Sequence, residues 1–307
     1  MEPLSGVYAI LTTPFLPDGA LDDASLRHLT TATIEAGVDG ITVLGVAGEA
    51  NKLDDAEHLH VLRTVVAIND GRLPIIVGTS RESTHIAMAA ARTAKDQGAS
   101  GIMVAPPMFV PPGPALTAHV QRIGDAIGLP IVLQDFPPVN GVTLSTQAIT
   151  DLVHAVPQIV TIKVEDPPTP QRTAQILDLT SNSVSIVGGL GGVYLLDELR
   201  CGSRGTMTGF AYPEVLVAVV RAWTAGDHAQ AAAIYYRYLP LLVSEGQPKL
   251  GLALRKEVLR RRGLIEHAAV REPGPKVDRK SLAALTQTLA DVDIDAALAR
   301  GDLSGSA

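Results

Sequence analysis

The chain has 307 residues, 46% hydrophobic and 19% charged, with a formal net charge of −7 and a single cysteine. This suits a globular fold with a large core and offers no basic field for nucleic acid or an anionic membrane. One cysteine excludes an internal disulfide or a thiolate metal cluster. No apolar run approaches the roughly 18 residues of a membrane span, and MEPLSGVYAI lacks the charged head of a secretory leader, so a reducing cytoplasm is expected.

In chain order, short β-branched runs alternate with alanine-rich helical patterns. Strands are predicted at 6–12, 38–45, 73–79, 100–105, 129–134, 158–164, 184–189 and 204–209. The helix predicted over 83–97 carries Ile86, Ala90, Ala94 and Gln97 on one face and closes at QGA. Eight such strands with helices between them predict an α/β fold, a (β/α)8 TIM barrel, with an open doubly wound sheet as the lesser alternative. Strand signals stop near residue 212. Residues 1–212 therefore read as the barrel and 213–307 as a C-terminal helical region, with a break at SEGQPKLG, a loop at AAVREPGPKVDRK and a fraying end at GDLSGSA.

Chemistry in such a barrel belongs at the C-terminal strand ends. There the run IVTIKVEDPP places one lysine, Lys163, between Ile162 and Val164. Burial favours a neutral amine, and a neutral amine is what a Schiff-base nucleophile needs. The plainer reading pairs Lys163 with Glu165 or Asp166 at a rim.

The order of TTPF, GVAGEA, GTSRESTHIA, a PP turn after the fourth strand and IK on the sixth resembles the dihydrodipicolinate synthase and N-acetylneuraminate lyase family, from about residue 6 to residue 290. The resemblance implies a barrel with a C-terminal helical bundle, commonly a homotetramer. It also implies that Lys163 forms an imine with a small 2-oxo acid substrate. The lysine supplies the electrophile and the chain lacks a ligand cluster, so no metal or organic cofactor is expected.

Departures narrow the reading. The family's hydroxyl-bearing turn is Gly45-Val46-Ala47-Gly48-Glu49 here, leaving the backbone N–H groups of Ala47 and Gly48 as the expected carboxylate grip. The Tyr-Asn-x-Pro turn of strand five is Gln134-Asp135-Phe136-Pro137, the synthase arginine is replaced by Val139, and the aromatic pair after strand four by Pro107-Met108. The runs QDFPPVNG, IKVED and GTMTGFAYPE are similar to the 2-keto-3-deoxy-sugar-acid dehydratase branch, notably L-2-keto-3-deoxyarabonate dehydratases. Those dehydratases lack the Gly-x-x-Gly-Glu turn that this chain keeps, which leaves the substrate open.

An iminium at C2 acidifies C3, after which a C4 hydroxyl can leave or the C3–C4 bond can break. Alternation turns Gln134 toward substrate and Asp135 away, and sets Glu165 on the face of Lys163, as its ion-pair partner or as the base. Gly189 in GGLGG and Thr208 in GTMTG are expected to make room for and bind substrate; a phosphate cup is the weaker reading of these loops. EHLH sends His58 and His60 to different helix faces, so metal binding is not expected there. ALRKEVLRRRG reads as a solvated helix face or a subunit contact, and the apolar segment from Pro107 to Phe109 as a place where a partner subunit could pack. Dehydratase or aldolase, synthase-like condensation, and a degenerate barrel that only binds a 2-oxo acid remain as alternatives.

Overall fold

The computed structural model describes residues 2–108 and 110–303; Phe109 and the last four residues of GDLSGSA lie outside that range. Eight parallel strands close into a barrel in sequence order: β1 (Gly6–Ile10), β2 (Gly40–Val43), β3 (Ile75–Gly78), β4 (Gly101–Val104), β5 (Ile131–Asp135), β6 (Ile159–Val164), β7 (Ser185–Gly188) and β8 (Gly205–Thr208). β1 pairs with β8 and leaves no free edge. All eight predicted strands are present and most are shorter than predicted, because pairing stops where the chain turns out to the helix layer. Leu44, at φ 57°, makes that turn directly after β2. β5 instead runs one residue further, to Asp135.

Alternation sorts the strand residues into two cores. Tyr8, Ile10, Ile76, Met103, Val132, Val187 and Met207 fill the barrel interior with Leu4, whose N–H donates to Thr161 Oγ1 at 3.0 Å and closes the lower end. Ile162, Val164 and their counterparts join the larger core between sheet and helices, each stabilising the fold by about 1.5–3 kcal/mol relative to exposure. On β6 this leaves Thr161 and Lys163 facing inward, with Lys163 at the upper end.

Several helices begin at a side-chain cap: Asp22, Asp54, Ser145, Asp227 and Asp278 each accept from a first-turn amide, an interaction typically worth about 1 kcal/mol. The helix Thr84–Asp96 corrects one expectation. It buries Ala87, Ala91 and Ala94, whereas Ile86 is 52% exposed. Small side chains let this helix lie close to β4, so alanine and not isoleucine marks the packed face.

The helix Pro213–Thr224 packs against β1 and so completes the outer ring. Helices His228–Glu245, Gly251–Arg261, Arg279–Val292 and Ile294–Arg300 follow, with the SEGQPKLG break between the first two. Among its charged residues, the basic stretch 253–263 is a solvated face only at Arg260 and Arg261. Arg255, Lys256 and Glu257 are buried, with Arg255 paired to Glu245 and Lys256 to Glu49.

Candidate active site

The upper mouth of the barrel brings three predicted residues together. Gln134 and Lys163 are register partners on β5 and β6. Lys163 Nζ lies 2.9 Å from Glu165 Oε2, and Gln134 Nε2 donates to the same oxygen at 2.7 Å. A carboxylate can only accept, so the amide group of Gln134 must be the donor. All three side chains are buried. Asp135 points the other way, as alternation requires. Its Oδ2 accepts from Arg172 Nε at 2.6 Å, tying β5 to the helix Thr169–Leu179, and burial pushes its carboxyl up to about 6.

The end of β7 is shaped by two acids. A side chain at Gly189 would place its Cβ 2.4 Å from the Glu165 carboxyl, and one at Gly188 would place it 1.8 Å from Glu198 Oε2. The room at Gly189 is therefore taken by Glu165 and not left for substrate. Glu198 is buried on the opposite face of the strand, accepts from Thr169 Oγ1 at 2.6 Å, and is pushed up to about 7 by burial. Thr208 Oγ1 accepts the Gly191 N–H at 2.9 Å, while the Leu190 N–H points at Glu165 Oε1 at 3.4 Å. With those amides turned toward protein acceptors, the loop is poorly suited to a phosphate.

The turn after β2 is held just as firmly. The Gly48 N–H donates to Gly45 O at 3.0 Å, so it is already engaged, and Ala47 packs against the inner core. Glu49, missed as a structural group, is buried at φ 54° and meets Lys256 Nζ at 2.5 Å, Lys52 Nζ at 2.9 Å and the Arg271 N–H at 3.0 Å. Lys256 also donates to Thr13 O and Ala269 O, and burial draws its amine down to about 8. The turn is thus fastened to the C-terminal region.

A cavity of about 510 Å³ opens between the ends of β2, β3, β4 and β5, with Gln134 on one side and His58, Ser80 and Arg81 on another. His58 Nε2 lies 2.8 Å from Ala50 O and its Nδ1 lies 3.0 Å from Arg81 Nη2. Burial lowers the imidazole pKa, and a neutral ring with its proton on Nε2 satisfies both contacts. His60 bonds Asp23 on another face of the same helix. Among the described residues no group of three His, Cys, Asp or Glu could hold a metal ion. Arg81 escaped notice in the sequence because one arginine in a turn has no periodic signature.

Comparison with known proteins agrees with this geometry. A model of the Dihydrodipicolinate synthetase family matches residues 3–292. The chain is 30% identical over 285 residues to an L-2-keto-3-deoxyarabonate dehydratase of Azospirillum brasilense, covering 91% of this chain and 92% of that protein. It is 31% identical to a probable 2-dehydro-3-deoxy-D-pentonate aldolase of Escherichia coli, over 78% of this chain and 81% of the relative. Among solved structures, dihydrodipicolinate synthase from Rhodopseudomonas palustris superposes with a TM-score of 0.89 at 34% identity, covering 95% of this chain and 99% of that one.

Proposed function

The chain belongs to the dihydrodipicolinate synthetase family and is a lyase, and from that premise we propose that it dehydrates a 2-keto-3-deoxy sugar acid through an imine on Lys163. The observation that carries this reading is the Glu165 carboxylate shared by Lys163 and Gln134 at 2.9 and 2.7 Å, on a mouth whose fifth strand has glutamine where the synthases have tyrosine. Lys163 passes a proton to Glu165 and attacks C2, and Glu165 returns that proton to the C2 hydroxyl, which leaves as water to give the iminium. Glu165 then takes a C3 proton, and the C4 hydroxyl departs as water with a proton returned to it. Hydrolysis of the imine frees Lys163, so the net change is loss of one water from C3 and C4. Gln134 orients Glu165 throughout and cannot itself carry the proton at neutral pH. Gly189 contributes by making room for the Glu165 carboxyl, Thr208 by holding the loop after β7, and Ala47 and Gly48 by shaping the turn after β2.

The test is reduction with borohydride in the presence of pyruvate or a 2-keto-3-deoxy acid, read by intact mass. An adduct on the native chain that is lost in Lys163→Ala is expected. An unmodified native chain overturns the reading and favours a binding barrel. Release of pyruvate from the sugar acid, in place of water loss, would mark an aldolase.

We further propose a cytoplasmic homotetramer without metal or organic cofactor. Val46, Met108 and Val139 are exposed around the cavity mouth and give a second copy apolar surface to cover. Sedimentation velocity should return a tetrameric mass; a monomer at micromolar concentration would overturn it.

A further inference from the structure

We propose that Arg81 selects substrates that carry a second carboxylate at the end away from the 2-oxo acid, so that the preferred substrate is a 2-oxo diacid. The proposal rests on the Schiff-base reading for the position of the reacting end and on the cavity for the rest.

The reacting end lies at Gln134, which touches the cavity and shares Glu165 with Lys163. The same cavity is lined by the loop after β3, where Arg81 is its one arginine or lysine among the described residues. Its volume exceeds what a three-carbon acid fills, so the cavity is built for a longer chain. Arg81 is half-buried and held from two sides, Nη1 donating to Ser80 O at 2.9 Å and Nη2 to His58 Nδ1 at 3.0 Å. Since His58 is neutral, it orients the guanidinium without cancelling its charge. Among the described residues no carboxylate lies within ion-pair distance of Arg81, whereas Arg172, Arg255, Arg262 and Arg271 all have acidic partners.

A half-buried cation, held in place on the wall of a cavity that Gln134 also lines, with only the exposed Asp55 carboxylate acting on it from beyond ion-pair distance, matches a carboxylate. Asp55 and Glu82 also border this space. The Asp55 side chain is fully exposed, and Glu82, itself exposed, accepts the Met108 N–H at 2.9 Å, so both charges are screened by water more than Arg81 is. The hydroxyl-free Val46-Ala47 turn adds a reason for a second anchor, because grip at the first carboxylate is reduced.

The experiment compares binding of 2-oxoadipate and 2-oxohexanoate, equal in length and both without a leaving hydroxyl, by titration calorimetry. The native chain should bind the diacid about 10- to 100-fold more tightly, the range expected for one hydrogen-bonded charged contact. Arg81→Met should erase that preference while leaving the 2-oxohexanoate Kd within about twofold, and Arg81→Lys should retain part of it. In turnover with hydroxylated substrates the loss should fall on KM and not on kcat. Equal binding of the two acids by the native chain, or an equal loss for both in Arg81→Met, overturns the proposal. If the diacid preference stands while borohydride trapping at Lys163 fails, the Schiff-base reading falls and the Arg81 assignment survives.

Discussion

Lys163 and Glu165 form a buried ion pair, Nζ to Oε2 at 2.9 Å, so the amine and the carboxylate oxygen are in direct contact. The amine is a nucleophile only after its proton has moved, and Glu165 is the acceptor in contact. Glu165→Gln should therefore slow the C3 proton transfer by about 10²- to 10⁴-fold in kcat, the usual worth of a positioned base. Single-turnover kinetics with borohydride quenching separates the steps. Loss of imine formation with no change in later steps would assign Glu165 to activation of the lysine alone.

Gly189 gives that assignment a second test. Its absent side chain is filled by the Glu165 carboxyl, 2.4 Å from where a Cβ would sit. In Gly189→Ala the carboxylate must swing away, leaving Lys163 and Gln134 without their shared acceptor. The variant should fold, and its kcat should fall toward that of Glu165→Gln. A variant with native kcat would mean that the observed position of Glu165 is not needed.

Glu198 predicts a pH dependence of stability. Its carboxyl is pushed up from 4.5 to about 7 by burial, so the folded chain holds this proton more tightly than the unfolded one. The stability it contributes is fully present below pH 4.5 and is lost as pH rises through about 7. The shift corresponds to roughly 3 kcal/mol between pH 4.5 and 8. Glu198→Gln cannot titrate, so its unfolding free energy should fall by less than the native chain's over that window. Parallel urea-denaturation curves for the two proteins across pH would refute this.

Lys256 and Glu49 are 207 residues apart in sequence, yet their buried contact fastens the β2 turn to the C-terminal region. Lys256→Met leaves Glu49 with Lys52 and the Arg271 N–H as partners. Breaking a buried pair on one side typically costs about 3–5 kcal/mol, and the remaining partners place this change near the lower figure. Urea denaturation measures it; a loss below about 1 kcal/mol would show that Lys52 compensates.

These pairs mark what the sequence does and does not reveal. Eight strands are legible because β-branched runs are local signals, and period-two alternation turns Gln134 inward and Asp135 outward; the same signals leave open whether Lys163 faces the barrel interior or the helix layer. The link between Glu165 and Lys163 is legible as a shared face. That Gln134 completes the set depends on β5–β6 register, which no local pattern encodes. Lys256 looks like any lysine on a charged helix, since its burial is decided by a distant glutamate. The face of the helix Thr84–Asp96 was misread for a related reason: close packing favours alanine there, while hydrophobicity favours Ile86. Gly189 was assigned room for substrate because a glycine does not announce which neighbour fills its space.

Gln134 offers the sharpest separation of roles. Its amide donates to Glu165 Oε2 and lines the cavity, while Lys163 contacts Glu165 directly. Gln134→Leu keeps similar bulk and removes the donor, so Glu165 loses one of its two restraints at Oε2 but keeps the ion pair. Imine formation should survive, seen as an undiminished borohydride adduct, while kcat for dehydration drops by about 10²-fold through misplacement of the base. Gln134→Tyr should be worse, because a larger ring must enter a side-chain position that is only 3% exposed. If Gln134→Tyr instead gains condensation of pyruvate with aspartate semialdehyde, strand five is equipped for a tyrosine proton relay and the dehydratase reading gives way to a synthase.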